Sequence, residues 1–226
     1  GIPPYSIIIE LLRLKNIPVI SELELAYRLS DTPFIAITGT NGKTTTTALT
    51  ASIFAKKFNA KACGNIGQPP CDLADDKLDY YICEMSSYQI AMSPTLTPYI
   101  SVWTNFTPDH IDWHQGIENY FKAKAKIFQS PQAPKYSVLN AKDEKLKDFK
   151  AQGEVFYFGS RRGGNSCYIE NNEFIFERNC KVEFTMPVSD CPLVGEHNFQ
   201  NVECSIICAK IEEIPNEKIR DAIMSF

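Results

Sequence analysis

Residues 38–45 read Thr-Gly-Thr-Asn-Gly-Lys-Thr-Thr and join an apolar run to a helical pattern, which leaves few folds open to this chain. The run 34–38 predicts a buried strand, and residues 44–58 predict a helix. A strand, a glycine-rich turn, a lysine and a helix are typical of a loop that binds nucleotide phosphates, because turn N–H groups and the helix N-terminus attract anions. The Lys43 ammonium can reach the outer phosphates, and the Thr44 hydroxyl can ligate Mg²⁺. The residues assigned to nucleotide binding here are Gly39, Thr40, Asn41, Gly42, Lys43, Thr44 and Thr45.

The spacing of this loop departs from the common phosphate-binding pattern G-x-x-x-x-G-K-[ST]. That pattern would place a glycine at position 37, where the chain has Ile37. The loop therefore has a shorter G-x-x-G-K-T form. The structural alternative is a glycine turn before a helix whose lysine is merely exposed.

Apolar runs alternate with helical patterns along the chain, which predicts an α/β fold with a mainly parallel sheet flanked by helices. After Gly159, short alternating runs predict a small antiparallel sheet built from residues 166–186, with its first turn at Asn171-Asn172. Further strands are predicted at 80–85, 99–104, 136–139 and 155–158, and further helices at 117–128, 143–151, 195–211 and 216–226.

Composition weighs against several function classes. The formal net charge of −4 disfavours nucleic acid as a partner, because nucleic-acid-binding domains usually carry a basic surplus. No apolar run approaches the roughly 20 residues that span a bilayer, so no membrane insertion is expected. The eight cysteines include no Cys-x-x-Cys pair, which predicts reduced, mostly buried thiols in a cytoplasmic protein.

Candidate metal ligands follow two predicted strands. Glu84 ends one strand, and His110 lies in the loop after the next. Because ligands collect at the carboxyl ends of parallel strands, Glu84 is a natural Mg²⁺ ligand, with a solvated strand-end glutamate as the alternative. The spacing of His110 and His114 could suggest zinc, but no cysteine or third histidine accompanies them, so a loop histidine that meets a metal or substrate is favoured.

Lys124 occupies an unusual position in the predicted helix 117–128. At about 100° per residue it falls within the apolar stripe that contains Tyr120, whereas Lys122 and Lys126 fall on the opposite face and are expected to be solvated. A buried lysine has a depressed pKa, so more of it is the neutral, nucleophilic amine. That amine can react with CO₂ to give a carbamate, which is an anionic metal ligand. A lysine that snorkels or pairs with an acid is the alternative.

These motifs occur in the order that is found in one family of ligases. The further matching stretches are Gly64-Asn65-Ile66-Gly67-Gln68-Pro69, Glu84-Met85-Ser86-Ser87-Tyr88-Gln89, Asn105 to His110 with Asp112, Tyr120 to Phe128, and Gly195-Glu196-His197-Asn198-Phe199-Gln200-Asn201. Over about residues 1–212 the chain resembles the Mur ligases of bacterial peptidoglycan synthesis, whose phosphate loop has the same short form. The Ser-Ser-Tyr-Gln and Gly-Asn-Ile-Gly stretches favour the member that adds D-glutamate.

The resemblance implies a role for each matching residue. The phosphate loop would bind ATP, and Lys43, His110 and Lys124 would be catalytic. Two Mg²⁺ ions would be held by Thr44, Glu84, His110 and a Lys124 that is carbamylated by CO₂. The residues facing the UDP-muramoyl-alanine substrate would be Asn65, Ser86 and Gln89, and those near the adenine would be Asn198 and Asn201.

The implied reaction is stepwise amide formation. The substrate carboxylate attacks the γ-phosphate to give an acyl phosphate, and the D-glutamate amine then displaces phosphate, while the protein positions groups and neutralises charge. The alternatives are another Mur-type or folylpolyglutamate-type ligase, or a nucleotide-binding module without catalysis. Such a module would have little need of Glu84, His110 and an inward Lys124 together.

The resemblance also predicts the domain organisation. Mur ligases have an N-terminal domain that grips the uridine and a C-terminal domain that binds the amino acid. We therefore expect residues 1–18 to be a linker remnant from the N-terminal domain and residues 19–226 to be the central ATP-binding domain. We expect this chain to be a monomer that folds but does not catalyse ligation without the other domains.

Overall fold

The computed structural model describes residues 2–226, in which one sheet is covered by helices on both faces. The strands are β1 (Phe34–Thr38), β2 (Ala60–Gly64), β3 (Tyr80–Glu84), β4 (Ile100–Trp103), β5 (Tyr136–Asn140), β6 (Glu154–Phe158), β7 (Ser166–Glu170), β8 (Glu173–Arg178) and β9 (Lys181–Pro187). The α-helices are α1 (Ile7–Leu14), α2 (Glu22–Leu29), α3 (Lys43–Phe54), α4 (Ser87–Ala91), α5 (Ile111–His114), α6 (Ile117–Ala125), α7 (Glu196–Ile211) and α8 (Asn216–Met224).

The strand order is β2-β3-β1-β4-β5-β6-β7-β8-β9, and neighbours are parallel from β2 to β7. The predicted α/β class with a mainly parallel sheet is confirmed. The antiparallel strands β7, β8 and β9 extend this sheet, because β6 pairs with β7 at Tyr157–Ser166 and Phe158–Cys167. Asn171 and Asn172, with φ of 51° and 62°, form the two-residue turn predicted between β7 and β8.

Strand β1 lies between β3 and β4 and is buried along its whole length. Ile35 and Ile37 belong to a core that includes residues of α3, α7 and α8, while Phe34 and Ala36 belong to a second core with residues of α2, α4 and α6. The carboxyl ends of β1, β3, β4 and β5 therefore share one edge of the sheet, and the strand order changes direction at β1, with β3 and β2 on one side of it and β4 and β5 on the other. This is where α/β sheets open a binding crevice.

The helix predicted at 143–151 is absent, and the segment forms turns instead. The backbone N–H groups of Leu146 and Lys147 both donate to the Asp143 carbonyl, but no further helical ladder follows. Leu146 is the one residue of this segment that is fully buried, so an amphipathic helix here would gain little from packing.

The predicted exposure of Lys126 is also wrong. Helix α6 ends at Ala125, and residues 126–128 form a tighter 3₁₀ turn. A 3₁₀ turn has fewer residues per turn than an α-helix, so its side chains point in directions that the α-helical period does not predict. The Lys126 ammonium is consequently half-buried and donates to the Ser93 carbonyl at 2.9 Å. Lys122, one turn earlier, is exposed as predicted.

Two short helices that the sequence analysis did not predict precede β1. Ser21 caps α2 by accepting from the Glu24 N–H. The buried Glu24 carboxylate accepts from the backbone N–H groups of Thr95 and Leu96, which fixes α2 against the segment before β4. All eight cysteines are unpaired, and six are buried, as predicted. Within residues 2–226, the structure contains no helix with the length and hydropathy to cross a membrane.

Candidate functional site

The phosphate loop leaves the carboxyl end of β1 and enters α3 through two glycines with positive φ. Gly39 has φ of 151°, and a Cβ there would lie 1.9 Å from the Thr104 Oγ1. Gly42 has φ of 82°, and a Cβ there would lie 2.5 Å from the Asn201 Oδ1. Both positions require glycine because the neighbouring chain comes so close. Helix α3 begins at Lys43, so the N–H groups of its first turn have no intrahelical partner, which makes this helix end a candidate anion site.

The Lys43 side chain folds over this loop. Its Nζ donates to the Thr40 carbonyl at 2.9 Å and lines a cavity at the carboxyl edge of the sheet. Thr45 follows in the first turn of α3. The ammonium group and the free N–H groups at the start of α3 therefore lie within one short segment, as phosphate binding requires.

Two of the predicted metal ligands are in direct contact. The Thr44 Oγ1 donates to the Glu84 Oε2 at 2.8 Å, and the Asn65 Nδ2 donates to the Glu84 Oε1 at 2.9 Å. Gly64, with φ of 98°, turns the chain after β2 so that the Asn65 N–H also reaches the Glu84 carbonyl. Carboxylate and hydroxyl oxygens are ligands that suit Mg²⁺, so the residues present fit that ion.

Lys124 is buried, with 2% of its surface exposed, which confirms its predicted inward direction. Its Nζ donates to the Gly39 carbonyl at 2.9 Å and to the Thr38 Oγ1 at 3.3 Å, and it lies 4.9 Å from the centre of the Tyr120 ring. Burial, helped by the nearby Lys43 charge, lowers the pKa of the Lys124 amine to about 7. A substantial neutral fraction is therefore present at neutral pH.

His110 faces the same cavity, which has a volume of about 110 Å³. It adopts a left-handed conformation at the start of α5, with φ of 52°, and its Nε2 lies 3.3 Å from the Asp109 Oδ2. Six predicted site residues thus line one cavity together with four others. The predicted residues are Gly39, Lys43, Asn65, Ser86, His110 and Lys124, and the others are Ser87, Tyr88, Asp109 and Tyr120.

His114 differs from His110 in its surroundings. It is buried, stacks on Tyr88 with ring centres 5.6 Å apart, and places its Nε2 2.8 Å from the Ser87 Oγ. Burial, and then the Lys124 charge, lower the pKa of the His114 ring to about 4. In the described part of the chain, no three His, Cys, Asp or Glu residues cluster as metal ligands would.

Ser86 and Gln89 bind each other at the start of α4. The Gln89 Oε1 accepts from the Ser86 N–H at 3.0 Å and from the Ser86 Oγ at 2.8 Å, while the Ser86 Oγ also accepts from the Gln89 N–H. This reciprocal pair is a capping box. Ser86 lines the 110 Å³ cavity, whereas Gln89 lines a neighbouring groove beside Tyr88 and Trp113.

A larger cavity of about 380 Å³ lies on the other side of the phosphate loop. Asn41, Gly42 and Asn201 line it. Asn198 lies one turn earlier on α7, outside the lining, where its Nδ2 donates to the Val194 carbonyl. The other lining residues are Thr104, Asn105, Thr107, Asn140, Lys142, Asp143, His197 and Gln200.

Sequence reasoning missed several of these residues. Asn140 ends β5, and Lys142 and Asp143 follow it, so the carboxyl-edge rule that singled out Glu84 also applies to them. Tyr120 was assigned to an apolar stripe, but its hydroxyl lies 3.2 Å from the Thr40 Oγ1 of the phosphate loop. Only the tertiary structure reveals this polar contact.

Comparisons with known proteins identify a family that this chain matches. Residues 37–209 match the family described as the Mur ligase middle domain. A protein of Microcystis aeruginosa called UDP-N-acetylmuramoylalanine–D-glutamate ligase is 40% identical over 100% of this chain and 52% of its own length. A Trichormus variabilis protein of the same name is 41% identical over 93% of this chain and 49% of its own length.

The fold is similar to that of solved ligase structures. The structure of a UDP-N-acetylmuramoyl-L-alanyl-D-glutamate–2,6-diaminopimelate ligase superposes with a TM-score of 0.69 and 20% identity, covering 95% of this chain and 48% of that one. The chain spans about half the length of the curated relatives that it matches.

Proposed function

The chain belongs to the Mur ligase family, and from this premise we propose that it is the ATP-binding core of a ligase that joins D-glutamate to UDP-N-acetylmuramoyl-L-alanine. The substrate assignment is supported by relatives at 35% to 41% identity that are called D-glutamate ligases. Because the chain spans about half of each relative, the complete reaction would require the remainder of the longer protein.

One observation carries the proposal: an anion-binding loop, a metal-binding pair and a buried amine surround one small cavity. Lys43 and Lys124 line it, and the Thr44–Glu84 pair lies directly beside it. A solvated surface loop would not bury a carboxylate and an amine together, because each burial costs free energy. The same cost disfavours the alternative of a nucleotide-binding module without catalysis.

The residues suggest a division of labour in the reaction. Lys43 and the N–H groups at the start of α3 would bind the β- and γ-phosphates of ATP. Thr44 and Glu84 would hold one Mg²⁺ ion, and His110 with Lys124 would hold a second. Bound there, Mg²⁺ would neutralise phosphate charge. The substrate carboxylate would attack the γ-phosphorus, ADP would leave, and the D-glutamate amine would displace phosphate from the acyl carbon.

We assign the adenosine part of ATP to one side of the phosphate loop and the UDP-muramoyl substrate to the other side. The 380 Å³ cavity is large enough for the adenosine part of ATP, and Asn201 would contact the base with Asn198 as its neighbour. On the other side, Asn65 and Ser86 would face the UDP-muramoyl substrate. Gln89 would face the same substrate from the adjoining groove, and its side chain also holds Ser86 by a hydrogen bond.

We propose that Lys124 carries CO₂. The neutral amine nitrogen would form a bond to the carbon of CO₂ and release one proton, which leaves an anionic carbamate. The lowered pKa of Lys124 supports this reaction because it favours the neutral amine at neutral pH.

We expect carbon-13 NMR after bicarbonate labelling to give a carbamate signal that is absent from Lys124→Ala. The matched control is Lys122→Ala, since Lys122 lies on the same helix but is exposed. An identical spectrum for wild type and Lys124→Ala would contradict the proposal.

Amino-acid choice tests the proposed reaction itself. We expect a full-length protein that contains this chain to incorporate D-glutamate, in the presence of UDP-N-acetylmuramoyl-L-alanine and Mg-ATP, in preference to L-alanine or diaminopimelate. Product formation is measured by mass spectrometry. Incorporation of another amino acid would favour another member of the family, and D-glutamate ligation by this chain alone would refute its dependence on further domains.

We propose that residues 1–18 connect to a further N-terminal domain and that residues 19–226 form the central domain. Helix α1 supports this, because Ile7, Leu11 and Leu14 lie exposed along one face of it, as at an interface. The eight unpaired thiols support a cytoplasmic location, where the environment is reducing. The monomeric state stays a prediction.

A further inference from the structure

The side chain of Asn105, just after β4, pairs with a peptide group of the phosphate loop. Its Oδ1 accepts from the Asn41 N–H at 2.8 Å, and its Nδ2 donates to the Asn41 carbonyl at 3.0 Å. One planar amide therefore satisfies both backbone groups of residue 41. The Thr104 Oγ1 donates to the same Asn41 carbonyl at 2.7 Å.

The preceding loop residue is held by the same segment. The Thr40 N–H donates to the Asn105 carbonyl at 3.1 Å, and the Thr40 hydroxyl bonds to both backbone groups of Thr107 at 3.0 Å. The segment is itself braced from the opposite side, because the Asp143 Oδ2 accepts from the Phe106 N–H at 2.6 Å. Residues 104–107 thus form a fixed support for the first half of the loop.

These contacts divide the loop into two parts. The N–H groups of Thr40 and Asn41 already have protein acceptors, so they are not free to bind an anion. The N–H groups from Gly42 onward lie at the N-terminus of α3, where no intrahelical acceptor is available. After Gly39, the loop therefore offers N–H donors to phosphate from its second glycine onward.

We propose that Asn105 is a positioning residue for nucleotide binding: it withholds the Asn41 N–H from the phosphates and holds the loop in its binding conformation before the nucleotide arrives. This inference rests on the proposed function, since it concerns the same phosphate site. A loop that is ordered in advance loses less conformational entropy when ligand binds, which raises affinity.

The first test uses NMR to measure hydrogen exchange and chemical shifts of the backbone amides. In the nucleotide-free protein, the Asn41 amide should be protected from hydrogen exchange, and Asn105→Ala should remove this protection. On addition of Mg-ATP, the amides of Gly42, Lys43 and Thr44 should shift more than that of Asn41. An unprotected Asn41 amide in the free wild type, or the largest shift at Asn41, would overturn the proposal.

The second test measures Mg-ATP affinity by calorimetry. Asn105→Ala is expected to weaken binding about tenfold, because the preorganisation and two hydrogen bonds are lost. The matched control is Asn165→Ala, because the Asn165 Oδ1 likewise accepts a backbone N–H, that of Asn179 at 2.9 Å. This contact joins the loop between β6 and β7 to the turn between β8 and β9, outside the lining of both cavities. The control should keep wild-type affinity.

The outcomes separate the two proposals. Equal Mg-ATP affinity in Asn105→Ala and wild type would overturn the role of Asn105 while leaving the phosphate loop assigned. Absence of Mg-ATP binding in the wild type would count against the proposed function, whereas the amide protection of Asn41 in the free protein would still decide whether Asn105 fixes the loop. Circular dichroism of each variant establishes that it is folded.

Discussion

Mg-ATP affinity is expected to fall by about a hundredfold or more in Lys43→Ala, because loss of a charge-assisted contact to phosphate costs roughly 2–5 kcal/mol. The Lys43 Nζ is held at the Thr40 carbonyl, 2.9 Å away, at the end of α3 that attracts anions. Moving to phosphate would exchange this neutral acceptor for a charged one. Isothermal titration calorimetry at fixed salt measures the change.

Lys57→Ala is the matched control for this prediction. Lys57 follows the opposite end of α3, where its Nζ donates to the carbonyls of Glu212 and Glu213. Removing it changes the net charge by the same amount, and we expect Mg-ATP affinity to stay within about twofold of wild type because surface charges this far away are screened. Equal affinities of Lys43→Ala and wild type would contradict the assignment of the phosphate loop.

The second large effect concerns stability and involves Glu203 on α7. This carboxyl group is buried, and its Oε2 accepts from the Gly159 N–H at 2.7 Å. That hydrogen bond and the Lys142 charge both act to lower its pKa, but burial has the larger effect. Burial raises the pKa of Glu203 to about 8. The unfolded chain loses this proton near pH 4.5, whereas the folded protein keeps it until about pH 8. The unfolded state therefore binds fewer protons across this window, so stability falls as pH rises.

We expect Glu203→Gln to raise the free energy of unfolding by roughly 2–4 kcal/mol at pH 7.5 and by little at pH 4. The amide stays neutral, and its oxygen can still accept from Gly159. Urea denaturation at both pH values measures the difference. Glu217→Gln on α8 is the control, since Glu217 is exposed and should change stability by less than about 0.5 kcal/mol. A gain that does not grow with pH would rule out the buried carboxyl as its cause.

The geometric features that the sequence predicted around the site depend on local sequence patterns. The strand–loop–helix sequence around Lys43 is contiguous, and the approach of Glu84 to Thr44 follows from the rule that parallel strands end at one edge. The inward direction of Lys124 follows from helical periodicity alone. In each case a short segment determines the geometry.

The parts that were missed depend on contacts between distant segments. The Asn105 amide binds a peptide group 64 positions earlier in the chain, and the Asp143 carboxylate binds one 37 positions earlier. No periodicity encodes such pairs. The error at Lys126 has a related cause, because the 3₁₀ turn lets its ammonium reach the carbonyl of Ser93.

The position of β9 at the end of the sheet has a consequence for solubility. An outermost strand presents unpaired backbone groups that another chain could extend into an aggregate. This strand begins with the exposed Lys181 and ends with Pro187, which lacks an N–H donor. The pairing of β8 with β9 also shifts register at Phe176 and Glu177, which increases the local twist. Charge, proline and irregular pairing together make this edge a poor template for intermolecular β-sheet growth.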